Sequence, residues 1–371
     1  MQREKPPFRA DHVGSLVRPQ ALLDAWDARR QGEIENDEFR HIQQDAIRDV
    51  VRRQEDLGLK LVTDGEYNRA TWQTDFLLRF ENVQQVSSKF KVRFHSEKGE
   101  TEGTPHTVNV SGKLSRQHSI FVDDFKFLSS ITRVTPKITI PSPSMMHFRS
   151  GRSGIDRTAY PEMDMFYSDL SRVYREEIAE LASAGCRYLQ LDEVNLAYLC
   201  DPALREQVRN NIGEDPETLP VTYARIINEA IGQRPHDMVM AMHLCRGNFA
   251  GNWMAEGGYE PVAEILFNDI NVDGYFLEYD SDRAGGFEPL RFVPPEKIVV
   301  LGLITTKKPE LENKDDIKRR IDEATKYLPL EQLALSPQCG FSSGLGGNTM
   351  DSETQFAKLQ LIVDIAGEVW G

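Results

Sequence analysis

The sequence predicts a single α/β domain with the (β/α)8 TIM-barrel fold over residues 1–371, with a β-hairpin inserted after the second strand. Short apolar runs alternate with longer stretches of helical spacing along the whole chain, which is the order of elements in such a barrel. Eight of these runs are candidate strands. A doubly wound open sheet for a dinucleotide is disfavoured because no Gly-x-Gly-x-x-Gly follows the first run.

The candidate strands are apolar runs that end in polar or turn residues. In chain order they are Ala10–Leu16, Gly58–Glu66, Pro136–Pro141, Arg187–Glu193, Met238–Asn248, Val272–Glu278, Lys297–Ile304 and Leu333–Ser336. The fifth run is apolar and carries Val and Met, which predicts a buried strand. It ends in His-x-Cys and a Gly-Asn turn. Helical spacing predicts helices over Phe39–Leu57, with heavy charge on one face, over about Pro161–Ala184 and over about Ser352–Val369.

Residues 81–133 interrupt this alternation. Phe90–Phe94 and Thr107–Gly112 have the composition of two exposed strands, and Gly99, Gly103 and Pro105 lie between them. We therefore expect a β-hairpin inserted after the second strand, which covers the top of the barrel as a lid. A plain surface excursion is the alternative.

The charge and the cysteines limit the partners and the compartment. A formal net charge of −14 argues against nucleic-acid backbones and anionic membrane surfaces as partners, and no apolar run is long enough for a membrane span. The four cysteines are Cys186, Cys200, Cys245 and Cys339. So few thiols favour a cytoplasmic, reduced protein whose cysteines are free or metal-bound. The oligomeric state stays open, and a homo-oligomer is compatible with the sequence.

Four side chains predict a metal site. Residues two apart on a strand share a face, so His243 and Cys245 present an imidazole and a thiol side by side. Glu278 and Cys339 follow the sixth and eighth strands, at the same C-terminal face of a barrel. These ligand types suit tetrahedral zinc. The plainer alternatives are a core histidine beside a buried cysteine, a cap or salt bridge for Glu278 and a buried turn thiol for Cys339.

Further groups at the strand ends predict an amino-acid pocket. Glu66, Asp192 and Glu193 are flanked by apolar residues, and buried acids need partners such as a substrate ammonium. The Gly14-Ser15 turn offers N–H groups and a hydroxyl for a carboxylate. A thiol amino acid would satisfy the turn, the acids and the metal together. Ion pairing at the barrel rim is the alternative for the acids, with Arg69, Arg187 or Arg246.

With these motifs the chain resembles the catalytic C-terminal barrel of the cobalamin-independent methionine synthase family. The matching stretches follow the family's order across nearly the whole chain, at Val13–Ser15, Asp64–Glu66, Leu189–Glu193, His243–Cys245, Leu277–Glu278 and Ser336–Gly340. The resemblance implies zinc on His243, Cys245, Glu278 and Cys339. It implies homocysteine contacts at Gly14, Ser15, Glu66 and Asp192.

The chain departs from the family pattern on the methyl-donor side. The full-length family enzyme has two barrels, and this chain has one. The family's Gly-Pro-Val-Thr-Ile-Leu-Asn-Trp motif, whose Trp packs on the pterin, is replaced by Ser142–Arg149, which has no Trp. The family's catalytic His aligns with Lys307. Single-barrel relatives also include an epoxide:thiol transferase that uses coenzyme M, so thiol activation is a firmer inference than the donor.

The predicted function is therefore a zinc-dependent S-methyltransferase. It would activate homocysteine for methyl transfer from methyltetrahydrofolate or another carrier and give methionine. A free thiol has a pKa of about 8.5 and is mostly protonated at neutral pH, whereas a metal-bound thiol is deprotonated. Lys307, Glu193 and His147 are candidates for the general acid. The alternatives are an alkyl transferase on another thiol or electrophile, and a non-catalytic barrel that binds zinc or an amino acid.

Overall fold

The computed structural model describes residues 3–87, 92–96, 99–103, 106–342, 344–346 and 350–371. Residues 88–91, 97–98 and 104–105 of the predicted hairpin, which include Phe90, Lys91 and Pro105, lie outside the described residues. The strands are β1 (Leu61–Val62), β2 (Val83–Ser87), β3 (Val92–Ser96), β4 (Gly99–Gly103), β5 (His106–Val110), β6 (Thr135–Pro136), β7 (Ile138–Pro141), β8 (Tyr188–Asp192), β9 (Val239–Leu244), β10 (Gly274–Glu278), β11 (Ile298–Ile304) and β12 (Leu333–Pro337).

Parallel strands form the predicted barrel. β7 to β12 make a six-stranded parallel sheet in chain order. β1 pairs in parallel with β6, which is separated from β7 only by Lys137. A parallel bridge from Ala10 to Leu335 joins the first strand position to β12, and the Leu16 N–H donates to the Gly65 carbonyl beside β1. Eight strand positions are thus present, and the (β/α)8 prediction is confirmed.

The first strand is shorter than predicted. Only Ala10 of the predicted strand Ala10–Leu16 forms a bridge. The carboxylate of Asp11 accepts hydrogen bonds from the backbone N–H groups of Phe8 and His12, at 3.1 and 2.8 Å. Such local side-chain bonds compete with a strand ladder for the backbone donors, which explains the early end of the pairing.

Helices follow the strands and cover the barrel. They are α1 (Gln20–Gln31), α2 (Asn36–Asp56), α3 (Thr74–Leu77), α4 (Val122–Ile131), α5 (Met163–Ser183), α6 (Asn195–Tyr198), α7 (Pro202–Gln207), α8 (Leu219–Ile231), α9 (Lys314–Ala324) and α10 (Ser352–Trp370). Short 3-10 helices lie at Pro143–Met146, Gly151–Gly154, Glu260–Val262, Asp282–Ala284, Glu288–Phe292 and Leu330–Gln332, and π-helices at Val208–Ile212 and Ile265–Asp269. The three predicted helices correspond to α2, α5 and α10.

Strand residues divide between two apolar layers. On β10, Tyr275 and Leu277 face outward into the large core between sheet and helices, whereas Phe276 faces into the barrel. This alternation follows from the two-residue period of a strand. α5 completes the outer layer because its buried residues, among them Leu170 and Tyr174, recur at helical spacing.

A buried ion pair also lies inside the barrel. The ammonium of Lys137 is 3.2 Å from an Asp11 carboxylate oxygen and 2.7 Å from the His12 carbonyl. It also lies 4.0 Å from the centre of the Phe276 ring. Removing two charges from water is costly, so the pair depends on these additional contacts.

The insertion consists of two nested antiparallel pairs. β2 pairs with β5, and β3 pairs with β4, with Ser96 opposite Gly99 at the end of the pairing. The predicted hairpin after the second strand is present, but its two predicted strands are not partners of each other. The sequence did not indicate β4, Gly-Glu-Thr-Glu-Gly, because it has no apolar alternation.

The tip of the insertion contacts the loop that follows β9. His95 and Trp253 exchange two backbone hydrogen bonds, of 2.8 and 3.0 Å. The rings of Phe94 and Phe249 lie 5.3 Å apart. The insertion therefore packs near the C-terminal end of β9. In the part of the chain that the structure describes, no helix has the length and apolar character needed to cross a membrane.

Candidate metal centre

The inner face of the barrel strands leads to one group of polar side chains. On β9, His243 follows the inward-facing Ala241 by two residues, and on β10 Glu278 follows Phe276 in the same way. Asp192 lies four residues after the inward-facing Tyr188 on β8. Because side chains alternate along a strand, all three point into the C-terminal mouth of the barrel.

His243, Cys245 and Cys339 form a cluster whose ligand atoms all lie within 4.8 Å of one another. The two sulfur atoms are 3.6 Å apart. Two thiolates on one tetrahedral zinc ion, each at about 2.3 Å, would lie about 3.8 Å apart. β9 supplies His243 and Cys245, and the turn after β12 supplies Cys339. The spacing of the sulfur atoms therefore fits a shared zinc ion without a large rearrangement.

The surroundings of the His243 imidazole indicate that this cluster binds a further group. The side chain is buried, and apart from the neighbouring Cys245 thiol its ring nitrogens have no hydrogen-bond partner among the described residues. A buried polar atom without a partner is costly and rare in native proteins. A metal ion bound to one nitrogen would provide the missing interaction, so the donor set and the environment both fit zinc.

The two thiols share a proton. The Cys339 thiol donates to Cys245, and this bond together with the nearby His243 holds the pKa of Cys245 well below its ordinary value. The same contact and burial raise the pKa of Cys339. The site thus favours one thiolate before any metal binds, and thiolate is the form that binds zinc.

Glu278 lies beside this cluster but outside the 4.8 Å set. One carboxylate oxygen accepts from the Arg246 backbone N–H at 2.8 Å. The other lies 2.9 Å from the Arg283 guanidinium and 3.4 Å from the Lys307 ammonium. Burial raises the pKa of Glu278, but the charges of Lys307, Arg246 and Arg283 outweigh it and lower the pKa to about 2. The carboxylate is therefore ionised, as a metal ligand must be.

The Gly14-Ser15 turn is tightly packed against neighbouring loops. Gly14 has φ +144°, and a Cβ there would lie 2.7 Å from a methyl carbon of Thr139, so only glycine fits. A Cβ on Gly340 would lie 1.9 Å from the Ser15 hydroxyl. Since Gly340 follows Cys339, this contact brings the turn next to the thiol cluster.

Two buried carboxylates face this region. Glu66 has φ +61°, and its Oε1 accepts from the Thr139 hydroxyl at 3.0 Å, while its Oε2 has no partner among the described residues. Asp192 accepts from the Gln190 amide at 2.7 Å. Burial, and then the charge of Glu66, raise the pKa of Asp192 to about 7. A cation bound between the two acids would relieve this repulsion.

Ion pairs with arginines at the barrel rim, the alternative role for the buried acids, explain little of how these acids are placed. Arg69 approaches Glu66 at 3.8 Å, but its hydrogen bonds go to Thr139. Arg187 pairs with Asp237. The third candidate, Arg246, bonds to the carbonyls of Gly257 and Glu278.

The other two acid–base candidates have partners within the protein. Glu193 caps α6, accepting from the N–H groups of Asn195 and Leu196 at 2.8 and 3.0 Å, and from the Ser144 hydroxyl. His147 is fully buried. Its Nδ1 lies 3.1 Å from the Tyr223 hydroxyl, and its Nε2 lies 3.3 Å from both the Tyr167 hydroxyl and a Glu214 carboxylate oxygen. No described contact joins Glu193 or His147 to the thiol cluster.

Several residues of the site were missed in the sequence. Gln190, which orients Asp192, could have been found because it lies two residues earlier on the same strand face. Arg283 had no such signal, since it reaches Glu278 from the short 3-10 helix Asp282–Ala284 after β10. Tyr198 lies on α6. Burial raises the pKa of its phenol, and the charges of the nearby thiols and of Glu278 raise this pKa further.

Comparisons with known proteins show the family of this chain. The family model described as "Cobalamin-independent synthase, Catalytic domain" matches residues 8–368. The chain is 43% identical over 371 residues to the uncharacterized protein YxjH of Bacillus subtilis (strain 168), covering 100% of this chain and 96% of that protein.

Two solved structures share the fold. A putative vitamin-B12 independent methionine synthase from Listeria monocytogenes matches with a TM-score of 0.78 and 37% identity, covering 100% of both chains. A B12-independent methionine synthase from Shewanella sp. W3-18-1, in complex with selenomethionine, matches with a TM-score of 0.70 and 20% identity, covering 98% of this chain and 97% of that one. At that identity, the second likeness concerns the fold.

Proposed function

This chain belongs to the cobalamin-independent synthase catalytic-domain family, a family of methyltransferases, and from that premise we propose that it uses zinc to methylate the thiol of homocysteine, giving methionine. The observation that carries the proposal is the cluster of His243, Cys245 and Cys339, with its 3.6 Å sulfur separation. A bound zinc ion would hold the substrate thiol as the nucleophilic thiolate. We place this reaction in the cytoplasm, where thiols stay reduced.

We propose His243, Cys245, Cys339 and Glu278 as the zinc ligands. Glu278 stands next to the cluster in ionised form, and a change of its side-chain torsions would exchange Arg283 or Lys307 for the metal. The two thiolates and the carboxylate make the site electron-rich. A sulfur bound there keeps its nucleophilicity.

We propose that the substrate's amino-acid end binds opposite the metal. Glu66 and Asp192 would hold the ammonium, because both are buried acids and Glu66 has an oxygen without a partner. The Gly14 and Ser15 turn would hold the carboxylate through N–H groups and the hydroxyl. The methionine synthase from Shewanella, whose structure contains selenomethionine, supports an amino-acid ligand for this fold.

Among the three acid candidates we favour Lys307. Its ammonium lies 3.4 Å from Glu278, beside the thiol cluster, whereas the hydrogen bonds of Glu193 and His147 are made to other parts of the protein. A lysine ammonium can donate a proton to the leaving group as the methyl transfers. The donor in this proposal is methyltetrahydrofolate or another methyl carrier.

The test offers homocysteine together with methyltetrahydrofolate, methylcobalamin or an epoxide in parallel. We expect methionine from a methyl donor, with about one zinc per chain. Cys339→Ser should lose most of the zinc and the turnover. Cys186→Ser, which replaces a buried thiol that bonds only to the Tyr188 carbonyl, is the matched control and should keep both.

Three outcomes would contradict the proposal. If Cys339→Ser kept full zinc occupancy, the metal site would be wrong. If only the epoxide reacted, the protein would be an alkyl transferase. Zinc with no turnover from any donor would indicate a non-catalytic binding barrel.

A further inference from the structure

A second polar cavity lies outside the thiol site, beneath the insertion. Its volume is about 120 Å3, enough for a group of several heavy atoms. Three parts of the chain form its walls. β2 and β5 contribute Ser87 and Asn109, the loop after β7 contributes Arg149 and Ser150, and the π-helix Val208–Ile212 contributes Asn211.

The walls of this cavity carry the groups that bind oxyanions. The described residues that line it include one guanidinium, several hydroxyls and two side-chain amides, and no carboxylate. In a chain with a net charge of −14, a polar cavity that contains only a positive charge is selective for anions. The Ser150 hydroxyl is buried there without a hydrogen-bond partner among the described residues. A bound oxyanion would accept from it.

Arg149 is the central cation of the cavity. Burial lowers its pKa, and the Tyr198 phenol is its hydrogen-bonding partner. A guanidinium has five N–H donors in a rigid fork, so it can keep this partner and bind an oxyanion at the same time. The negative charge of a ligand would offset the burial of the guanidinium.

The packing holds this cavity in shape. Gly151 has φ +53°, and a Cβ there would lie 2.2 Å from a methyl carbon of Ile212, so the loop and the π-helix touch. A Cβ on Gly154 would lie 2.4 Å from the Ser150 hydroxyl and 3.0 Å from the Asn109 amide oxygen. The walls are therefore fixed by close backbone contacts.

The side chain of Tyr198 lies between the cavity and the thiol site. Tyr198 bonds to Arg149 on one side, and the charges of Cys245, Cys339 and Glu278 act on its phenol. A Cβ on Gly247, two residues after Cys245, would lie 3.3 Å from the Tyr198 hydroxyl. Tyr198 therefore lies close to both Arg149 and the thiol site.

We propose that this cavity binds a carboxylate or phosphate group of the second substrate, the methyl donor, and thereby holds the donor against the thiol site. The assignment of the anion to the donor rests on the proposed function. The existence of an oxyanion site does not. Such a site would supply binding energy from a part of the donor that does not react.

The experiment measures anion binding without turnover. Inorganic phosphate and glutarate are titrated separately into the zinc-loaded protein at constant ionic strength, by calorimetry. We expect saturable binding of at least one of them. Arg149→Met should weaken it at least about tenfold, because hydrogen bonds to charged groups contribute about 1.5–3 kcal/mol. Ser87→Asp, which adds a negative charge to the wall, should weaken it as much.

Arg157→Met is the matched control, because it removes an equal charge from an exposed residue that does not line the cavity. Its binding should stay within about twofold of the unaltered protein. The proposal is overturned if neither anion binds, or if Arg149→Met and Arg157→Met weaken binding equally. Preference for phosphate or for glutarate identifies the anion.

Zinc content and donor kinetics separate this inference from the proposed function. Arg149→Met should retain zinc and the KM for the thiol, and raise the KM for the donor. If the protein bound the anion but transferred no methyl group, the oxyanion site would stand and the proposed transferase function would be wrong. If Arg149→Met still transferred the methyl group and its KM for the donor were unchanged, the cavity would not be a binding site for the donor.

Discussion

Glu278 has the thiol cluster on one side and cationic side chains on the other. It stands next to the proposed zinc ligands, yet its oxygens bond to the Arg246 backbone, to Arg283 and to Lys307. These cations keep the carboxylate ionised, and they also balance the charge of two thiolates. We infer that Lys307 and Arg283 retain Glu278 near the metal when it is not a ligand.

For single residues, the sequence was sufficient to predict the direction of those side chains that strand periodicity fixes. His243 and Cys245 share a strand face, and a barrel brings Cys339 to the same mouth, which the structure reproduces within 4.8 Å. The partners of Glu278 were beyond prediction. Arg283 reaches it from the short 3-10 helix Asp282–Ala284, and no pattern in the sequence fixes how so short a helix folds back.

The amino-acid pocket gives the residue-scale prediction. Asp192→Asn removes a charge that we propose pairs with the substrate ammonium. We expect the KM for homocysteine to rise at least about tenfold, since a buried charged hydrogen bond contributes about 1.5–3 kcal/mol. The KM for 4-mercaptobutyrate, which has the carboxylate and thiol but no amino group, should change less than about twofold. Equal effects on the two thiols would remove Asp192 from the ammonium site.

At the scale of elements, the strands and long helices followed from their apolar patterns, and the insertion did not. β7 to β12 are buried at nearly every position, so their apolar runs were visible. The sequence of β4 has no apolar run, so its pairing with β3 was not visible. The π-helix Val208–Ile212, which forms a wall of the Arg149 cavity, also has no sequence signal because its hydrogen-bond shift is local.

The contact between the insertion and the β9 loop gives the prediction at this scale. Phe94→Ala removes the ring that packs on Phe249 at 5.3 Å. An aromatic pair contributes about 0.5–1.5 kcal/mol beyond its buried area. We therefore expect hydrogen exchange of the Trp253 amide, which donates to the His95 carbonyl, to accelerate about tenfold. Exchange in the barrel strands should not change.

Phe127→Ala is the control for this experiment, because Phe127 is a half-buried ring on α4 with Arg48 over it. Its removal should leave Trp253 exchange unaltered. Equal acceleration in both variants would mean that the Phe94 contact does not hold the insertion on the loop.

At the scale of the whole molecule, the barrel order followed from the alternation of elements, whereas its polar interior did not. Lys137 and Asp11 lie 126 residues apart in the chain and meet only because the first and third strand positions close on the same interior. Periodicity gives the direction of a side chain, but it does not give its partner across a barrel.

The net charge of −14 leads to a prediction about the donor. Each added glutamate on methyltetrahydrofolate adds negative charge, and the acidic molecule provides no attractive field for a longer tail. The Arg149 cavity can accept one acidic group. We expect kcat/KM for triglutamate and monoglutamate donors to differ by less than about tenfold, or about 1.4 kcal/mol. A preference of about a hundredfold in steady-state kinetics would show a dedicated tail site.

The central claim is that the thiol cluster holds a zinc ion to which the substrate sulfur binds. X-ray absorption at the zinc edge counts the sulfur neighbours of the metal directly. We expect two sulfur neighbours, from Cys245 and Cys339, at about 2.3 Å in the resting protein, and three after homocysteine is added. Homoserine, which has a hydroxyl in place of the thiol, should leave the count at two. An unchanged sulfur count with saturating homocysteine would contradict the account.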